Sequence, residues 1–82
     1  MITYRLFFRN INGEPCQQEL YRVFDDPDDE ATLQTYDTAA KLHYREWRKK
    51  SFHCTDMKLV RTLPVGFENS PWHNVIVAAN EA

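Results

Sequence analysis

Residues 2–9 interleave Ile, Tyr, Leu and Phe with Thr and Arg, the period-two pattern of a strand. Asn12-Gly13 follows, a pair that tolerates positive φ and predicts a two-residue type I′ hairpin turn. Residues 17–24 then form the return strand. Pairing about that turn sets Ile2 opposite Val23 and Tyr4 opposite Tyr21, an apolar face at the open end of the hairpin. Glu19 falls opposite Leu6 and breaks that face.

Next comes a change of period. Leu33, Tyr36, Ala40, His43 or Tyr44, and Trp47 recur at steps of three and four, the apolar stripe of a helix. Asp26 is the expected cap, Pro27 suits the first helical position, and Asp28, Asp29 and Glu30 favour the positive end of the helix dipole. The stripe ends near Lys50, so a helix is expected over 27–50. The β-branched Thr32, Thr35 and Thr38 support a shorter alternative capped by Asp37 and starting at Thr38. Residues 52–63 return to alternation, with Met57, Leu59 and Leu63 on one face and Lys58, Val60 and Thr62 on the other. Pro64 and Gly66 stop that strand. The segment 71–79 is ambiguous between helix and strand, and Val75-Ile76-Val77 favours a short edge strand. The expected fold is a small α+β domain, β-β-α-β with a fourth short strand. Its antiparallel sheet would carry one main helix on one face, with the third strand beside the first.

Composition sets the scale. The chain has 82 residues, 43% of them apolar and 13% aromatic, with 2 glycines and 4 prolines, which argues for one folded domain over 1–82 rather than a disordered segment. No apolar run reaches the roughly 18 residues of a membrane span. Arg5 and Arg9 interrupt the start, so a signal peptide is not expected and a cytoplasmic setting is. Two cysteines, Cys16 and Cys54, are too few for a disulfide framework.

Candidate chemistry is sparse. His43, His53, Cys54, Asp56, His73 and Cys16 are metal-ligating types, but no C-x-x-C or H-x-x-x-H spacing joins them, and His53 and Cys54 are adjacent on an expected strand. A nucleophilic site at Cys54 would need a nearby histidine and an oxyanion hole, and the sequence has no glycine-rich turn to build one. The expectation is a binding protein with no enzymatic activity, metal or cofactor. The acidic run Asp25, Asp26, Asp28, Asp29 and Glu30 reads as helix capping.

Two surfaces remain. Under the expected pairing, the second face of the hairpin carries Arg5, Phe7 and Arg9 beside Leu20 and Arg22, with Thr3, Gln18 and Cys16. One helix covers one face of a sheet, so this face is left for water or a partner, and arginine with aromatic residues is what interface centres favour. The leading expectation is therefore an adaptor, inhibitor or regulatory subunit binding another protein or a second copy of itself as a homodimer. The alternative is a small nucleic-acid-binding regulator using Lys41, Arg45, Arg48, Lys49 and Lys50, with Tyr44 and Trp47 alongside. The formal charge of −2 counts against a general nucleic-acid coat protein. The layout is shared by many small bacterial and bacteriophage proteins, an architectural analogy that carries no function.

Overall fold

The computed structural model describes residues 1–62 and 75–79. The elements are β1 (Ile2–Arg9), β2 (Pro15–Val23), α1 (Glu30–Lys50), β3 (Thr55–Thr62) and β4 (Val75–Ala79). The strands form one open antiparallel sheet in the order β2-β1-β3-β4, with β1 and β3 central. This is the α+β arrangement the alternation predicts, with β3 beside β1 and β4 at an edge. Leu63 and residues 71–74 lie outside the described residues. No helix among the described residues is long and apolar enough to cross a membrane.

The core lies between the sheet and α1. Ile2, Tyr4 and Leu6 of β1 and Met57 and Leu59 of β3 meet Leu33, Ala40 and Tyr44 of α1. Tyr36 and Trp47 flank them, so the helical stripe is the one read from the sequence, with Tyr44 rather than His43 buried. His43 is exposed and stacks on Tyr21, ring centroids 4.7 Å apart. Cys54 is buried, and neither it nor Cys16 is in a disulfide.

The helix starts three residues later than expected. Asp29, with extended backbone, is the cap, and its carboxylate accepts from the Thr32 N–H at 2.8 Å. That bond holds the Asp29 carboxyl below its ordinary range. Asp26 instead receives the N-terminal ammonium at 2.5 Å, and Pro27 is buried ahead of the helix. The shorter helix from Thr38 is not formed.

The hairpin differs from expectation in a way that moves side chains between faces. Its loop is Ile11-Asn12-Gly13, not a two-residue turn: Asn10 N–H donates to the Glu14 carbonyl (3.0 Å) and Gly13 N–H to the Asn10 carbonyl (2.9 Å). Gly13 alone takes positive φ here, at 79°. The Asn10 side-chain oxygen accepts from Asn12 and Glu14 N–H, fixing the loop. The odd loop length shifts the pairing by one residue, so Phe8 faces Cys16, Leu6 faces Gln18 and Arg5 faces Glu19. A bulge between Tyr4 and Arg5, with Leu20 as the extra residue of β2, shifts it back, restoring Tyr4 to Tyr21 and Ile2 to Val23. Glu19 is thereby removed from the core face.

Among the described residues, one charged side chain is buried. Arg61 of β3 is 5% exposed, and its Nη1 donates to Asp37 Oδ2 of α1 at 2.6 Å. The Tyr4 hydroxyl donates to the other oxygen of Asp37 at 2.5 Å. This triad ties the helix to both central strands.

Candidate functional site

The sheet face away from α1 has no element over it among the described residues. Its residues follow from the register. On β1, Arg5 lies between Glu19 of β2 and Val60 of β3, and Phe7 lies between Gln17 and Lys58. Thr3 lies between Arg22 and Thr62, and Ile76 of β4 lies beyond Val60. Arg5, Phe7, Arg9 and Arg22 are thus brought to one face as expected. Leu20 is not: the bulge turns it to pack against the core cluster, and the same shift takes Cys16 and Gln18 to the helix side. Glu19 and Gln17 stand where Leu20 and Gln18 were expected.

The centre of this face is a two-by-two pattern on the central strands. Phe7 and Val60 are diagonal neighbours, and Arg5 and Lys58 occupy the other diagonal. Phe7 is 36% exposed, and Ile76 extends the apolar row outward at 56%. At the margins the charges are paired. Arg22 binds Glu19 through Nε at 3.2 Å and through Nη2, and it also lies over the Phe24 ring at 5.9 Å. Arg9 reaches Asp56 at 3.2 Å and the Gly13 carbonyl at 2.8 Å. Asp56 is placed for this by a bulge in β3, where it takes a φ of 53° that aspartate tolerates better than most residues. Arg5 and Lys58 have no carboxylate partner among the described residues. Lys58 and Val60 were legible as one face of their strand, and Ile76 only as part of a short edge strand. Joining them to Phe7 needed the β1–β3 register.

The basic helix end is assembled differently from expectation. Arg45, Arg48 and Lys49 share a shallow surface with Leu42 and Glu46, and Lys50 is exposed beyond them. Lys41 lies apart, in a groove between α1 and β4 with Asp37 and Arg61. Tyr44 is buried in the core, and Trp47 is half-buried against it, packed on Phe8 with ring centroids 5.0 Å apart. The exposed aromatic residue at this end is Phe52, which the sequence reading placed at the start of a strand.

Among the described residues no three His, Cys, Asp or Glu side chains are grouped to hold a metal ion. His53 and Cys54 lie in the turn before β3, not on a strand, and Cys54 is buried while His53 is exposed. His73 lies outside the described residues. The chain matches no protein-family model, no curated protein sequence and no solved structure.

Proposed function

We propose that the chain is a small binding protein, an adaptor, inhibitor or regulatory subunit rather than an enzyme, that docks a partner protein on the sheet face which no other described element covers. The observation that carries this reading is the central pattern of Phe7 and Val60 crossed by Arg5 and Lys58. An apolar pair supplies the anchor, and two cations with no carboxylate partner among the described residues supply orientation and steering. Rigid central strands hold all four.

The charge of the face favours an acidic partner over a second copy. A two-fold face-to-face dimer would bring Arg5 and Lys58 against the same cations, and like charges at an interface are unfavourable. A homodimer through another surface is compatible with this reading. So is a cytoplasmic setting, which two cysteines outside any disulfide suit.

The test is capture from the native lysate by tagged protein, with nuclease added, followed by the same capture with Phe7→Ala and Arg5→Glu. A specific retained protein is expected to be lost with both variants while their melting temperatures stay near that of the parent. Its retention should change modestly between about 50 and 200 mM salt, since the contact centres on apolar area. Folded variants that retain the same protein undiminished would overturn the assignment of this face.

A further inference from the structure

The C-terminal end of α1 presents a nearly free aromatic ring beside clustered cations. Ser51 closes the helix by donating its N–H to the Arg48 carbonyl at 3.2 Å, and Cys54 N–H donates to the Ser51 carbonyl at 3.0 Å. With Cys54 buried, the turn is pinned at both ends and its two middle residues project outward. Phe52 is 87% exposed, and His53 meets it edge-on with ring centroids 5.8 Å apart at 88°. Arg45, Arg48, Lys49 and Lys50 are all exposed over the last turns. Cations at a helix C-terminus complement its dipole, but that role accounts neither for Arg45, more than a turn back, nor for an aromatic ring in water.

The formal charge of −2 does not describe the field at this end. The run Asp25, Asp26, Asp28, Asp29 and Glu30 holds five of the 12 carboxylates and lies at the opposite end of the helix. A 21-residue helix is about 31 Å long, several times the screening length of about 8 Å at physiological salt. A ligand at the basic end therefore meets not the acidic run but the basic cluster, Glu46 included. Within it, Lys49 pairs with Glu46 at 3.2 Å and Arg48 lies over the Tyr44 ring at 5.6 Å. Arg45 and Lys50 have no carboxylate partner among the described residues.

We infer that this end is a binding site for single-stranded nucleic acid, with phosphates on Arg45, Lys49 and Lys50 and one unstacked base on Phe52. Single strands are held by just this combination, a basic track and an aromatic face, with little sequence preference. A duplex offers phosphates but keeps its bases stacked, so it has nothing for Phe52. An anionic bilayer is the poorer occupant, because the apolar stripe that α1 would lay into it is already buried against the sheet. The surface is separate from the Phe7 face, on the helix end rather than the outer sheet.

Fluorescence anisotropy with a labelled oligothymidylate of about a dozen nucleotides tests this, with oligouridylate, a duplex of the same length and phosphatidylserine-containing vesicles as the other arms. Both single strands are expected to bind, and the duplex about tenfold more weakly. Neutralising three phosphates predicts about a 20-fold loss of single-strand affinity between 50 and 200 mM salt. Phe52→Ala should weaken binding about tenfold with the salt slope unchanged, Phe52→Trp should restore it, and Arg45→Glu with Lys49→Glu should flatten the slope. All three substituted side chains lie on the surface, and a circular-dichroism melt confirms the fold of each variant. The inference is overturned by failure of either single strand to bind at low salt, by a duplex bound as tightly, by a Phe52→Ala protein that binds like the parent, or by retention on vesicles alone.

Discussion

Two tyrosines, 40 positions apart, occupy the same core with opposite hydrogen-bonding fortunes. Tyr4 is fully buried and gives its hydroxyl proton to Asp37, whereas the buried Tyr44 hydroxyl has no partner among the described residues. The same substitution should therefore have opposite signs. Tyr4→Phe removes a hydrogen bond to a charged acceptor and is expected to cost about 1.5–3 kcal/mol, while Tyr44→Phe removes an unsatisfied hydroxyl and is expected to stabilise by about 1 kcal/mol. Urea unfolding of the two variants reads both, and equal signs would contradict the hydrogen-bond assignment. Burial, then the bond to Asp37, raises the Tyr4 phenol well above its ordinary value. Tyr4 thus keeps its proton when folded at a pH where it would lose it unfolded. The stability it contributes is complete below about pH 10 and declines as pH rises further, a slope that Tyr4→Phe should reduce. None of this triad was legible in the sequence. Arg61 falls on the core face of β3 by alternation, and only the fold reveals that Asp37, 24 positions away on the helix, receives it. Removing the Arg61 guanidinium should cost about 3–5 kcal/mol, because the Asp37 carboxylate it neutralises stays at the core's edge.

At the scale of elements, periodicity identified β1, β2, β3 and the helix, because one buried face imposes its repeat on each of them, whereas β4 rested on the β-branched composition of Val75-Ile76-Val77 in an otherwise ambiguous segment. Boundaries and caps were read less well. Three acidic residues compete to cap α1, and their order along the chain does not reveal that Asp26 is taken by the N-terminal ammonium and Asp29 by Thr32. Register was half legible. Ile2 to Val23 and Tyr4 to Tyr21 came out correctly from the wrong turn, because a three-residue loop and the Leu20 bulge offset each other. The odd placement of Glu19 opposite Leu6 was the visible sign of that bulge. It also explains the error at the candidate site, since slipping one residue sends Leu20 inward and Glu19 outward. Deleting Leu20 removes the extra residue, so Arg5–Glu19 is followed directly by Tyr4–Tyr21 and every cross-strand pair is kept, with Tyr21 and Val23 still on the core face. The deletion is therefore expected to cost only the burial of one apolar side chain, about 1.5–3 kcal/mol. Leu20→Ala should cost about as much by the same urea measurement. A deletion clearly more costly than Leu20→Ala would show that the pairs on the two sides of the bulge are not those assigned.

The whole molecule is polar end to end, a property that total charge conceals. A charge of −2 counts against a general nucleic-acid coat protein, and with a pI near 5.8 it says nothing of where the charges sit. The fold sets five of the 12 carboxylates at the start of one helix and a basic cluster at its finish, about 31 Å apart, so each acts over its own screening length. The consequence is measurable without any biological ligand. At pH 7 and about 0.1 M salt, where the screening length is about 10 Å, the protein is expected to be retained on a cation exchanger despite lying above its pI, and on an anion exchanger as well. Arg45→Glu with Lys49→Glu should abolish only the first. Asp25→Asn with Asp28→Asn should weaken only the second, because each resin sees one end. An evenly mixed surface of the same net charge would be held by the anion exchanger alone. Flow-through of the parent protein on the cation resin would therefore remove the electrostatic basis for nucleic-acid binding at Phe52, while leaving the apolar contact at Phe7 untouched.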